Sequence, residues 1–248
     1  MGWGNGTDIH DVLPPFDLDR RPSKDGPGEV GQIVCTVVPE FGHPLSVFDA
    51  KRSDQSAHNS VSGTIRTLDL RYDYRPKPER LPIFKIRLGE CEELLAIRSK
   101  MRPCVVLAIA GGIPDEDLPA SEANRARAAF QRTSFLVAPA YSVSTQREPR
   151  SIVPTIAARA ECLMYPNLML LPPSGGYLRQ ESVVRLDRAF WTTLPPPTEF
   201  YQLSLSVERM AILANQWLVM RGDAPDSNYI EMVELLREEL AEPHRLPQ

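Results

Sequence analysis

The side chains of this sequence that could move protons or hold an anion are a few arginines and one carboxylate, spaced along apolar runs. Arg185 and Asp187 stand two apart in Ser182-Val183-Val184-Arg185-Leu186-Asp187-Arg188. On a strand that spacing sends both side chains to one face, the solvent face if Val184 and Leu186 point inward. A positive charge on that face could steady developing negative charge; otherwise the two are a plain exposed ion pair. Arg102 opens Arg102-Pro103-Cys104-Val105-Val106-Leu107. Taken alone, Arg102 could simply be a solvated strand start. His43, between Gly42 and Pro44, could take part in catalysis but is also an ordinary loop residue. Tyr141 and Ser142 follow the apolar run at Val137-Ala138-Pro139-Ala140. A phenol can donate to a phosphate or stack on a base.

Other chemistries lack their signatures. There is no Gly-rich phosphate loop, no Gly-x-Ser-x-Gly elbow and no His-Glu-x-x-His pair. Cys35, Cys91, Cys104 and Cys162 form no Cys-x-x-Cys pair and have no His at ligand spacing. They read as reduced cysteines of a cytoplasmic protein, with neither metal nor cofactor expected. No apolar stretch approaches the roughly 20 residues that span a bilayer, and the first residues lack the basic-then-apolar order of a signal peptide; no membrane contact is expected. The net charge of -4 is unevenly spread. Residues 30–221 hold 19 acidic and 23 basic residues, net +4, between two acidic ends. A mildly basic centre permits phosphate binding.

The elements that must position these residues are short. The 24 prolines among 248 residues stand well above the usual share of about one in twenty. Clusters such as Leu171-Pro172-Pro173 and Leu194-Pro195-Pro196-Pro197 cannot lie inside helices or central strands. Apolar, β-branched runs predict buried strands at 31–38 (ended by Pro39), 104–109, 135–140, 168–171 and 182–186. Alternation predicts half-exposed strands at 62–72 and 83–88, and residues 44–61 read as a polar loop. Helical composition appears at 122–131. Residues 204–220 predict a helix capped by Ser206 and stopped by Gly222, with Val207, Met210, Ala211, Ala214, Trp217 and Leu218 at helical spacing. Residues 228–241 predict a second helix with an acidic polar face. Many short strands followed by helices give an α+β class with a small barrel or strongly bent sheet.

Five blocks in order carry a resemblance to a known family. They are Gly31-Gln32-Ile33, the loop Pro39-Glu40-Phe41-Gly42-His43, Arg102-Pro103-Cys104-Val105-Val106, Pro139-Ala140-Tyr141-Ser142 and Val183-Val184-Arg185-Leu186-Asp187, with a helix after them. In this the chain resembles the MazF/PemK/Kid toxin ribonucleases over about residues 31–43 and 99–220. The resemblance implies a small SH3-like (MazF/CcdB-type) β-barrel with a long insertion and C-terminal helices. It implies metal-independent cleavage of single-stranded RNA by attack of a ribose 2′-hydroxyl, leaving 2′,3′-cyclic phosphate and 5′-hydroxyl ends. Arg185 and Asp187 would be the acid/base pair, Arg102 would hold the scissile phosphate and His43 would assist. Tyr141, Ser142 and Arg188 would contact RNA. A homodimer and a cognate antitoxin protein are also implied.

The chain departs from the family twice. Tyr141 stands where the family has Thr, and residues 44–101 replace a loop of a few residues, which unsettles the place of His43. Three parts are expected: a flexible N-terminal arm at 1–28, the barrel domain with its insertion at 29–222, and an acidic C-terminal helix and tail at 223–248. The competing reading is a barrel that has lost catalysis and binds protein or RNA. A CcdB-type topoisomerase poison ranks last, because that activity goes with a Trp-Gly-Ile end and this chain finishes Leu246-Pro247-Gln248.

Overall fold

Residues 8–26, 28–40, 44–51, 61–76, 88, 91–114, 131–145, 149–150 and 152–238 are described by a computed structural model. In chain order the elements are α1 (Ile9–Val12), β1 (Phe16–Asp17), β2 (Gln32–Glu40), β3 (Ser46–Lys51), β4 (Ser62–Thr67), β5 (Leu94–Ala96), β6 (Arg98–Ala110), β7 (Ser134–Ser142), α2 (Pro154–Glu161), β8 (Leu168–Leu171), β9 (Ser182–Arg185), β10 (Phe190–Thr192), β11 (Glu199–Leu205), α3 (Val207–Arg221) and α4 (Ser227–Glu238). A 3-10 turn, Leu186–Arg188, separates β9 from β10. The chain divides into two compact units, Met1–Val37 with Met101–Gln248, and Val38–Lys100.

The first unit is built on an eight-stranded sheet in the order β1-β11-β2-β6-β7-β9-β8, with β10 also on β7. The class is mixed α+β, and the sheet is a strongly curled antiparallel half-barrel. A register slip in β6 between Val106 and Ala108 is one place where such a strand bends. The main core lies where Val105, Ala138, Ala140, Met169, Leu171 and Val184 meet Ile212 and Leu213 of α3 and Tyr229, Val233 and Leu236 of α4. Burying each Val, Leu, Ile or Met side chain among these stabilises by about 1.5–3 kcal/mol.

Helix α3 has the caps its sequence announces. Ser206 accepts the Arg209 amide at 3.1 Å, and Gly222 closes the helix in the left-handed region at φ 82°. Its buried face is not the expected one. Arg209, Ile212, Leu213 and Gln216 point inward, while Val207 is 74% exposed and Ala211 and Ala214 are exposed. The polar members are held by carbonyls: Arg209 Nη2 donates to Ile9 at 2.9 Å and Leu13 at 3.2 Å, and Gln216 Nε2 donates to Leu168 at 2.8 Å and Tyr165 at 3.1 Å. The carbonyls of Ile9 and Leu13 belong to the segment expected to be a free arm. There α1 and β1 form instead, and Ile9 and Phe16 are buried in the core.

The second unit holds a three-stranded sheet, β4-β3-β5. Strand β3 falls in the expected loop 44–61: it pairs with both β4 and β5, and Val47 and Ala50 are buried there, which local polarity does not reveal. The strand expected at 62–72 stops at Thr67. Asp73 ends it: its buried carboxylate takes Arg66 Nη1 and the Asp69 amide, each at 2.8 Å, and folds 69–74 into a turn. In β2 the strand runs on through Pro39 to Glu40 rather than stopping before it. The expected strand at 83–88, except Leu88, and the expected helix at 122–131, except Gln131, lie outside the described residues, as does His43. Among the described residues no helix is long and apolar enough to cross a membrane.

Candidate active site

Strand alternation decides which side chains share a face. Val105, Ala138, Ala140 and Val184 enter the main core, so Tyr141 and Arg185, of the other parity, leave on the opposite face. That face is the one the sequence predicts for Arg185. Cys104 pairs with Pro139, and two residues further out Arg102 comes opposite Tyr141. The Arg102 Cζ sits 4.4 Å from the Tyr141 ring centroid. On the other flank of β7, Tyr141 pairs with Val183 and Leu168 with Arg185. Arg185 therefore reaches the same ring diagonally, its Cζ 5.8 Å from the centroid. The back of Tyr141 rests on a small cluster that includes Val143, Leu168, Leu170 and Val183, roofed by Ala157 and Ala160 of α2.

Asp187 does not continue the strand, as the sequence suggests it should. Val184 pairs with Ala140 and Phe190 with Val137. Six steps on one strand thus oppose three on the other, and the surplus loops out as the 3-10 turn Leu186–Arg188. Leu186 still plugs into the core at 2% exposure, which throws Asp187 and Arg188 outward. The two sites nonetheless meet: Arg185 Nε donates to Asp187 Oδ1 at 3.1 Å and Nη2 donates to Oδ2. This fork is the strong, planar form of an Arg–carboxylate contact. Arg188 stands at the rim, its Nε 4.0 Å from Asp187 Oδ2.

The electrostatics follow from those contacts. Burial alone would push the Asp187 carboxyl up, but the Arg185 hydrogen bonds and charge, with a hydrogen bond from Asn167, hold it below its ordinary value. The same hydrogen bonds raise the Arg185 guanidinium, helped by the charge of Asp187 and by Tyr141. The carboxyl is ionised and the guanidinium protonated throughout the neutral range.

Asn167 is a member that sequence reasoning misses. Beyond its bond to Asp187, its carbonyl accepts the Leu186 amide at 2.9 Å. Only the β8–β9 register places it there, so no local signal could have found it. Ser142, expected to contact RNA, pairs with Ser182, and alternation turns its side chain away from Tyr141. Cys104 is buried beneath the site, its thiol pushed up by burial, which makes it a poor nucleophile. Among the described residues no group of three His, Cys, Asp or Glu side chains could hold a metal ion.

The arrangement is a cationic face with a carboxylate at its edge. Two cations flank one phenol ring, and a charge-paired Asp lies beside the second cation. No protein-family model, curated protein or solved structure matches this chain.

Proposed function

We propose that this chain is a toxin endoribonuclease of the MazF/PemK/Kid type, cutting single-stranded RNA by metal-independent attack of the 2′-hydroxyl. One observation carries the reading: Arg102 and Arg185 flank Tyr141 on a face free of the main core, with Asp187 forked onto Arg185. The curled half-barrel sheet agrees with an SH3-like barrel of the MazF/CcdB type, and the order of the sequence blocks agrees with the family.

The chemistry assigns each group a task. Asp187, already ionised, takes the proton of the 2′-hydroxyl as its oxygen bonds to phosphorus. Arg102 and Arg185 hold the non-bridging oxygens as charge builds on the phosphorane. The bond to the 5′-oxygen then breaks, leaving a 2′,3′-cyclic phosphate. Because Asp187 raises the Arg185 pKa, Arg185 serves by donating a hydrogen bond to the departing oxygen. The departing oxygen takes its proton from solvent water, and Asp187 releases the proton it gained back to solvent, so the protons balance. On this reading the chain acts as a homodimer held in check by an antitoxin protein.

A second reading, a barrel that binds RNA or protein without cutting it, is favoured by two features. Arg185 engages both Asp187 oxygens, and Tyr141 replaces the family's Thr. A long unstructured RNA incubated with the protein in EDTA separates the two. Cuts at a repeated short motif, lost in Arg102→Ala and Asp187→Ala, support the enzyme. RNA that stays intact but is retarded by wild type and released by Arg102→Ala supports the binding module.

A further inference from the structure

Just past the end of β7, two and three residues beyond Tyr141 (about 7–10 Å at strand rise), Val143 and Ser144 line a cleft of about 710 Å³. Pro154, Pro173, Arg179 and Glu181 complete its walls. Arg179 links this cleft to a second feature, because it stands two residues beyond Tyr177 in the connection between β8 and β9. Tyr201 stacks on Tyr177, with centroids 4.7 Å apart and planes inclined at 25°. Tyr177 is 37% exposed and lines a hollow of about 320 Å³ with Leu18, Arg20 and Arg21.

The charges around the hollow are mostly committed, which shows where a phosphate could go. Arg20 is paired with Glu29. The Asp17 carboxylate accepts the amides of Asp19 at 3.1 Å and Arg20 at 3.0 Å. Arg21 and Arg179 have no carboxylate partner among the described residues. An aromatic face backed by a second ring, with the guanidinium of Arg21 in the same hollow and that of Arg179 in the neighbouring cleft, suits an unpaired base and its flanking phosphates. Duplex RNA hides its base faces, so a single strand is the partner this geometry fits.

We propose that the cleft, Arg179 and the Tyr177–Tyr201 stack continue the RNA track, so that single-stranded RNA leaving the Arg102/Tyr141/Arg185 site crosses the cleft and lays a base on Tyr177. The proposal rests on the endoribonuclease reading and adds a contact that gives affinity for length rather than for sequence, since every base offers a flat face.

The test compares fluorescein-labelled, 2′-O-methylated RNAs of four and twelve nucleotides by fluorescence anisotropy. Wild type should bind the longer RNA at least tenfold more tightly. Tyr177→Ala and Arg179→Gln should each remove fivefold or more of that advantage, and Tyr177→Phe should keep it, which separates ring stacking from loss of fold. Equal affinity for the two lengths, or an undiminished advantage in Tyr177→Ala, overturns the extended track while the cleavage site stands. Failure of wild type to bind either length, with no cleavage of unmodified RNA, overturns both.

Discussion

The guanidinium of Arg102 rests on the ring of Tyr141, Cζ to centroid 4.4 Å. The contact joins two neighbouring strands across one register position. It also gives the bulky side chain of Tyr141 a definite task. A ring face attracts a cation through its quadrupole, so Tyr141 can fix the aim of Arg102 without touching a phosphate itself.

The ring, rather than the hydroxyl, should therefore matter most. Tyr141→Phe is expected to keep kcat/KM on single-stranded RNA within about threefold. Tyr141→Leu should lower it about fivefold to thirtyfold, the equivalent of about 1–2 kcal/mol of cation–π contact. A Phe variant as weak as the Leu variant would assign the loss to the phenol hydroxyl.

Asp187 gives a prediction in pH. Its folded pKa is depressed, so its contribution to stability is present above the unfolded value of about 3.9 and is lost as pH falls through the lower folded value. Carbon-detected NMR of the Asp187 carboxyl should show no titration between pH 8 and 5. In Arg185→Met burial acts without its main counterweight, and the midpoint should move upward. An unchanged midpoint would mean that Arg185 does not govern this carboxyl.

His10 should make stability fall in mild acid. Burial first, then the charge of Arg209, whose Nη2 lies 2.7 Å from its Nδ1, lower its pKa to about 4. The unfolded chain then takes the proton first. Stability is complete above about pH 6.5 and drains as pH falls toward 4. Between pH 6.5 and 5 the loss should be about 2 kcal/mol, read as wild type minus His10→Gln in urea so that other groups cancel. A difference that stays constant with pH would refute the assignment.

Leu186→Ala should be costly although its neighbours face solvent. The side chain is 2% exposed and sits in the main core, so truncation should destabilise by about 2–5 kcal/mol in denaturant unfolding. RNA cleavage should fall further than the folded fraction does, because Leu186 is the root of the turn that presents Asp187.

What could be read from the sequence depended on whether the cause was local. Ser206 and Gly222 act within one turn of their own helix, and both ends of α3 were legible. The facing of Arg185 was legible because Val184 beside it is unmistakably apolar. The buried stripe of α3 was not, since a pattern that treats Arg209 and Gln216 as solvent-seeking shifts the apolar face around the helix. Their partners, the carbonyls of Ile9, Leu13, Tyr165 and Leu168, lie far away in the chain. Asn167 and the 3-10 turn escaped for the same reason, because both exist only through the pairing of distant strands.

That turn also means that β9 and β10 are one strand with an interruption. Removing Asp187-Arg188-Ala189 would bring the six-step side down to three and let Leu186 face Ala138 and Phe190 face Val137 in an unbroken ladder. Leu186 would keep its inward direction, since Ala138 points into the same core. The scaffold could thus shed its carboxylate as a three-residue excision while the strand pairs on either side keep their partners.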